Sequence, residues 1–186
     1  MATMSTAALF RPSRRVTLAG VAGFAAAVAL AAQVAVPVPG TPVPITLQPM
    51  LVVLAGLWLG PVAGAASMAL YLAAGAAGLP VFTPFGAPGL ARLLGPTGGY
   101  LLAYPVAAYL TGWLARRGAR SLARAFVAAL AGMVALYAGG VAQLALLTGS
   151  VERAALLGLA PFALLDLAKA GVAALLAPRR EDNARG

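Results

Sequence analysis

The chain has 186 residues, 62% of them apolar and 9% charged. A soluble domain carries roughly 25% charged and 45–50% apolar residues, so this composition excludes a water-covered globule. The net charge of +9 arises from 13 Lys and Arg against 4 Asp and Glu. The cations cluster at the ends of apolar runs, which points to membrane topology and away from nucleic acid. With no His and no Cys, the usual general base, a thiol nucleophile, a disulfide framework and the common zinc ligands are missing. No catalysis, metal or cofactor is expected.

At about 20 residues per crossing, the length allows six spans, and the fold class expected is an all-α integral membrane bundle. Arg14 and Arg15 precede an apolar run over 16–36. That run is longer than the core of a secretory signal, so it reads as a retained first span. The segment PVPGTPVPIT, 37–46, carries four prolines. Proline removes amide donors, and irregular backbone at membrane depth is tolerated only where protein or a cavity surrounds it. A short second span over 47–59 ends at Gly60 and Pro61, and a third covers 62–78. A second Pro/Gly-rich loop, LPVFTPFGAPG over 79–89, brings Phe82 and Phe85. The fourth span covers 95–115 and the fifth 125–148. After a polar turn at 149–153, the sixth lies within 154–177, where Pro161 suits a helical first turn. The expected organisation is a basic tail over 1–15, one six-helix domain over 16–177 and a solvated tail over 178–186. No internal repeat is visible.

Charge orients this arrangement. Arg11, Arg14 and Arg15 precede the first span, Arg116, Arg117, Arg120 and Arg124 lie between the fourth and fifth, and Arg179, Arg180 and Arg185 follow the sixth. The alternate loops hold only Arg92 and Arg153. Six crossings put all three basic clusters on one side, which the positive-inside rule makes cytoplasmic, with both termini there.

Asp166 and Lys169 are the polar residues hardest to explain. Three apart, they share a helix face, and each costs about 2.5–3.5 kcal/mol at mid-bilayer. Such residues usually face the bundle interior and mark a ligand or ion path; the plainer alternative is an ion pair that neutralises itself. GPTGGY, 95–100, with Gly98, Gly99 and Tyr100, would let a backbone approach a ligand or another helix closely. It lacks the Lys-Ser/Thr ending of a phosphate loop. Tyr137 and Gln143 are further polar groups at depth, for which a helix–helix hydrogen bond is the ordinary explanation. In the first span, Ala25 with Ala29 and Ala27 with Ala31 make smooth faces, suited to a partner subunit or to packing within the chain. Trp58, Trp113 and Tyr109 suit an interfacial aromatic belt.

Taken together, PVPGTPVPITLQ (37–48), LAGLWLGPVAGAASMALYLAAGAAGLPVF (54–82), LLGPTGGYLLAYPVAAYLTGWL (93–114) and PFALLDLAK (161–169) resemble the BioY family. These are the substrate-binding S components of energy-coupling-factor (ECF) vitamin importers. The resemblance implies six transmembrane helices and capture of biotin from outside the cytoplasmic membrane. It implies ligand contact by Asp166 and Lys169, and a lid formed by the first loop around Pro44, Ile45 and Thr46. It adds Gly98, Gly99, Tyr100, Tyr137 and Gln143 as candidate substrate contacts. A transmembrane coupling subunit and ATPase subunits are the implied partners, with self-association the alternative. This chain has no Walker A motif to hydrolyse ATP itself. An S component for another vitamin, or a bundle that binds no small molecule, are the rival readings.

Overall fold

The computed structural model describes residues 14–118 and 121–178. Arg11, Arg120, Arg179, Arg180 and Arg185, most of the N-terminal tail and nearly all of the C-terminal tail lie outside the described residues. Among those described there are eight helices: α1 (Arg14–Gln33), α2 (Gln48–Leu59), α3 (Pro61–Ala76), α4 (Leu90–Leu94), α5 (Gly98–Ala115), α6 (Leu122–Thr148), α7 (Val151–Gly158) and α8 (Ala163–Leu175).

Local sequence explains most of the boundaries. Pro49 and Pro61 fall in the first turns of α2 and α3, where a missing amide costs nothing. Gly60, between these helices, adopts φ 82°, a left-handed conformation that favours glycine. Ser121 caps α6, accepting from the amide of Arg124, and the left-handed Gly149 closes it. Ser150 caps α7 in the same manner through the amide of Arg153.

Five of the six apolar runs correspond to α1, α2, α3, α5 and α6. The sixth run, expected within 154–177 with Pro161 suiting a helix start, is α7 followed by α8, bent by 55° at the break. Pro161 lies in that break, two residues before α8 begins. The second Pro/Gly-rich loop also holds an extra element, α4, whose five residues are too few to show a period. Of single helices, α6 is long and apolar enough to cross a bilayer, and the bent α7–α8 pair passes the same test as a unit; α2 and α3 are shorter apolar helices.

Cross-links at the helix ends show which ends lie together. At one end, Arg116 donates to the carbonyl of Leu59 at 2.9 Å and the Trp58 indole to that of Leu176 at 2.9 Å. At the other, Gln33 donates to the carbonyls of Pro80 and Phe82, both at 3.2 Å, and Thr41 to that of Leu157 at 2.6 Å. The main helices therefore alternate in direction. Small residues set their spacing. A Cβ added at Gly99 would stand 2.2 Å from the carbonyl oxygen of Gly139, and one at Gly139 would stand 2.6 Å from that of Gly99, so α5 and α6 meet backbone to backbone. The core around Val52, Val53, Met68, Ala107 and Ala129 is buried. Leu30, Val62, Leu146 and Leu164 are largely exposed, an apolar exterior that water would not cover favourably.

In α1, Ala25 is buried while Ala27, Ala29 and Ala31 are partly covered; the helix packs on α2 and α3. The more open small residues are Ala19, Ala22, Gly23 and Ala26, so the open face is rotated from the expected pairs.

Candidate functional site

The end marked by Gln33 and Thr41 holds a cavity of about 720 Å³, its open mouth included. Val43, Pro44, Ile45 and Thr46 border it from the first loop, Phe82 and Thr83 from the second. Tyr100, Leu101 and Tyr104 of α5, Met133, Leu136 and Tyr137 of α6, and Phe162, Asp166 and Lys169 also line it, as do Gln48, Pro49, Thr97 and Gly158.

The polar floor is built on α8. Asp166 and Lys169 are each 7% exposed. Lys169 Nζ donates to Asp166 Oδ1 at 2.7 Å, and the Tyr137 hydroxyl donates to Asp166 Oδ2 at 2.6 Å. Both carboxylate oxygens thus have a donor, yet each retains lone-pair capacity. An ammonium has three donors, and Asp166 is the one hydrogen-bond acceptor of Lys169 among the described residues. Asp166 also falls in the first turn of α8, where the helix dipole favours a negative charge. The result is a buried acceptor beside a buried donor with capacity to spare.

Aromatic rings form the walls. Tyr71 stacks on Tyr104 at 6.1 Å and meets Phe82 edge-on at 5.5 Å. Gln48 donates to the Tyr71 hydroxyl at 2.8 Å, and Thr46 donates to Gln48 Oε1 at 3.4 Å. Tyr100 packs edge-on to Tyr137 and donates to the carbonyl of Gly158 at 2.7 Å, at the α7–α8 break. The first loop is pinned at its base by an antiparallel bridge in which Val36 and Ile45 exchange two hydrogen bonds of 2.9 Å.

Of the expected site residues, the cavity gathers Asp166, Lys169, Thr46, Tyr100, Tyr137, Pro44 and Ile45. Gly98, Gly99 and Gln143 are elsewhere. A Cβ at Gly98 would stand 1.9 Å from the Leu93 carbonyl oxygen, so both glycines serve close packing. Gln143 donates to the carbonyls of Leu93 at 2.9 Å and Gly95 at 2.7 Å, closing the C-terminal end of α4. The helix-contact explanation fits it.

Sequence reasoning passed over Gln48, Phe82, Tyr104 and Phe162 as site residues, although a polar or aromatic residue inside an apolar run was the available signal. It also passed over Arg92. This side chain is buried at 7% exposure. It donates to the carbonyls of Ala87 and Thr83 at 2.9 and 2.6 Å, to the Thr83 hydroxyl at 3.2 Å and to the carbonyl of Phe85. One guanidinium thereby shapes the loop that delivers Phe82 and Thr83 to the cavity. A lone arginine in a loop gives no sequence sign of that role.

A family model described as the BioY family matches residues 4–185. The chain belongs to the BioY family. It is 40% identical over 165 residues to the probable biotin transporter BioY of Pyrococcus horikoshii, covering 88% of this chain and 94% of that protein. It is 38% identical over 166 residues to the biotin transporter BioY of Thermotoga maritima, covering 89% and 95%. The crystal structure of the S-component for biotin from an ECF-type ABC transporter matches with a TM-score of 0.81 and 27% identity, over 90% of this chain and 92% of that one. Family membership makes this a membrane protein, and the fold is that of an ECF S component.

Proposed function

We propose that the chain binds biotin in the α5–α6–α8 cavity and serves as the substrate-binding S subunit of an ECF-type importer, a transport role and not an enzymatic one. The observation that carries this reading is the Asp166–Lys169 pair, buried yet facing an apolar, aromatic cavity with hydrogen-bonding capacity unspent. Biotin combines an apolar fused ring, a ureido group with donors and an acceptor, and a carboxylate tail. A carboxylate suits the ureido N–H groups; an ammonium suits the ureido oxygen or the tail. Phe82, Tyr104 and Phe162 supply apolar contact, and Pro44, Ile45 and Thr46 form the lid. The similarity to biotin transporters supports the same choice.

The chain crosses the cytoplasmic membrane six times, with the bent α7–α8 pair as the sixth crossing and both termini inside. Arg14, Arg15, Arg116, Arg117 and Arg124 fall at the end opposite the cavity mouth, which the positive-inside rule favours. The mouth then opens outward, and a coupling subunit and ATPase subunits on other chains drive release. The deciding measurement is isothermal titration of the purified protein with biotin, thiamine and riboflavin, together with thermal unfolding. Saturable binding and stabilisation by biotin alone are expected, because a ligand selective for the folded state stabilises it. Binding of another vitamin in place of biotin, or of none, would overturn the assignment.

A further inference from the structure

The basic end of the bundle has a cavity of its own, about 780 Å³ with its mouth, between the ends of α2, α5, α6 and α8. Arg116, Ser121 and Arg124 line it among apolar groups including Leu57, Leu122 and Pro178. Arg116 spends one donor on the Leu59 carbonyl and lies across Gly60, where an added Cβ would overlap its guanidinium at 2.0 Å. Arg124 donates from one terminal nitrogen to the Arg117 carbonyl, while its Nε–H is buried with no partner among the described residues. Ser121 caps the start of α6, so the positive end of a 27-residue helix opens onto the same space.

No carboxylate of the described residues balances these groups locally. Among the described residues the acids are Glu152 and Asp166, and neither borders this cavity. A buried, unpartnered guanidinium nitrogen is costly unless an acceptor reaches it, and guanidinium geometry suits phosphate oxygens. Apolar lining beside the cations suits an amphiphile. We propose that this cavity binds the phosphate of an anionic phospholipid head group, with Arg116 and Arg124 on its oxygens and the lipid's apolar part against Leu57 and Leu122. Basic pockets between membrane helices recognise such head groups elsewhere. The proposal is independent of the ligand held at the other end.

The test compares retention of dioleoyl phosphatidylglycerol and dioleoyl phosphatidylcholine by the full-length protein in mixed micelles, read by native mass spectrometry. Wild type is expected to retain phosphatidylglycerol selectively. Arg116→Gln with Arg124→Gln is expected to lower that retention roughly 10–30-fold, given about 1 kcal/mol per cation. Arg14→Gln with Arg15→Gln removes equal charge outside the cavity and should leave retention within about twofold; Arg116→Lys with Arg124→Lys, which guards against misfolding, should keep a substantial part of it. Equal losses in the two Gln pairs would reduce the effect to net charge and sink the proposal. So would stabilisation by inorganic phosphate equal to that by phosphatidylglycerol, which would mark a free-anion site. A requirement to delete residues 179–186 before any lipid binds would make Glu181 and Asp182 the occupants and likewise overturn it.

Discussion

At the cavity end, Asp166 and Lys169 meet at 2.7 Å on one helix, and Asp166 accepts a second hydrogen bond from the Tyr137 hydroxyl at 2.6 Å. At the opposite end, Arg116 and Arg124 face a cavity to which no described acid contributes. The first arrangement holds charge by internal pairing and leaves donors over for a guest; the second relies on backbone carbonyls and leaves charge for something outside the chain. The difference follows from depth. A buried ion without a partner costs several kcal/mol, whereas a cation at the bundle's rim finds water or an anion.

The comparison breaks most directly at Asp166. Asp166→Asn leaves Lys169 buried and unpaired, with an expected loss of about 3–5 kcal/mol of stability and of measurable biotin binding by titration. Asp166→Leu combined with Lys169→Met removes both charges; thermal stability should largely return, since an apolar replacement of a buried pair is often neutral, while binding should not. Recovery of both would make the pair a structural filler. Next in size, Gly99→Ala inserts a methyl into the α5–α6 seam and should cost about 1–3 kcal/mol as overpacking, read as a lower unfolding temperature. Arg92→Gln removes most of the hydrogen bonds that shape the 83–87 loop. Biotin affinity is expected to fall roughly tenfold, about 1.4 kcal/mol, with a smaller change in stability. Tyr137→Phe deletes one hydrogen bond to a charged acceptor, worth about 1.5–3 kcal/mol at most, and should weaken binding without abolishing it. Gln143→Leu frees two carbonyls at the end of α4 and should leave affinity within about twofold; a larger loss would bring Gln143 back as a ligand contact.

How far the sequence reveals this site depends on what each signal measures. Hydropathy locates runs, so α1, α2, α3, α5 and α6 were visible, and two opposite charges in the last run drew attention to α8. Hydropathy does not report bends, so the break between α7 and α8 was hinted at only by Pro161. A motif such as GPTGGY shows that close approach occurs there, but not what approaches. Gly98 and Gly99 meet backbone and Tyr100 meets the cavity, because neighbours on a helix point about 100° apart. Gln143 was polar at depth for a helix-end carbonyl. Arg92 acts through a tertiary fold of its own loop, which no local pattern encodes.

The short reach of the Asp166–Lys169 contact has a consequence for biogenesis. Because the two residues are one turn apart on α8, their bond needs no other helix to form. The final hydrophobic segment can therefore enter the translocon with its charges already neutralised against each other, before the other segments gather round it. Had the same two charges been placed on separate helices, each would have had to wait in the bilayer alone.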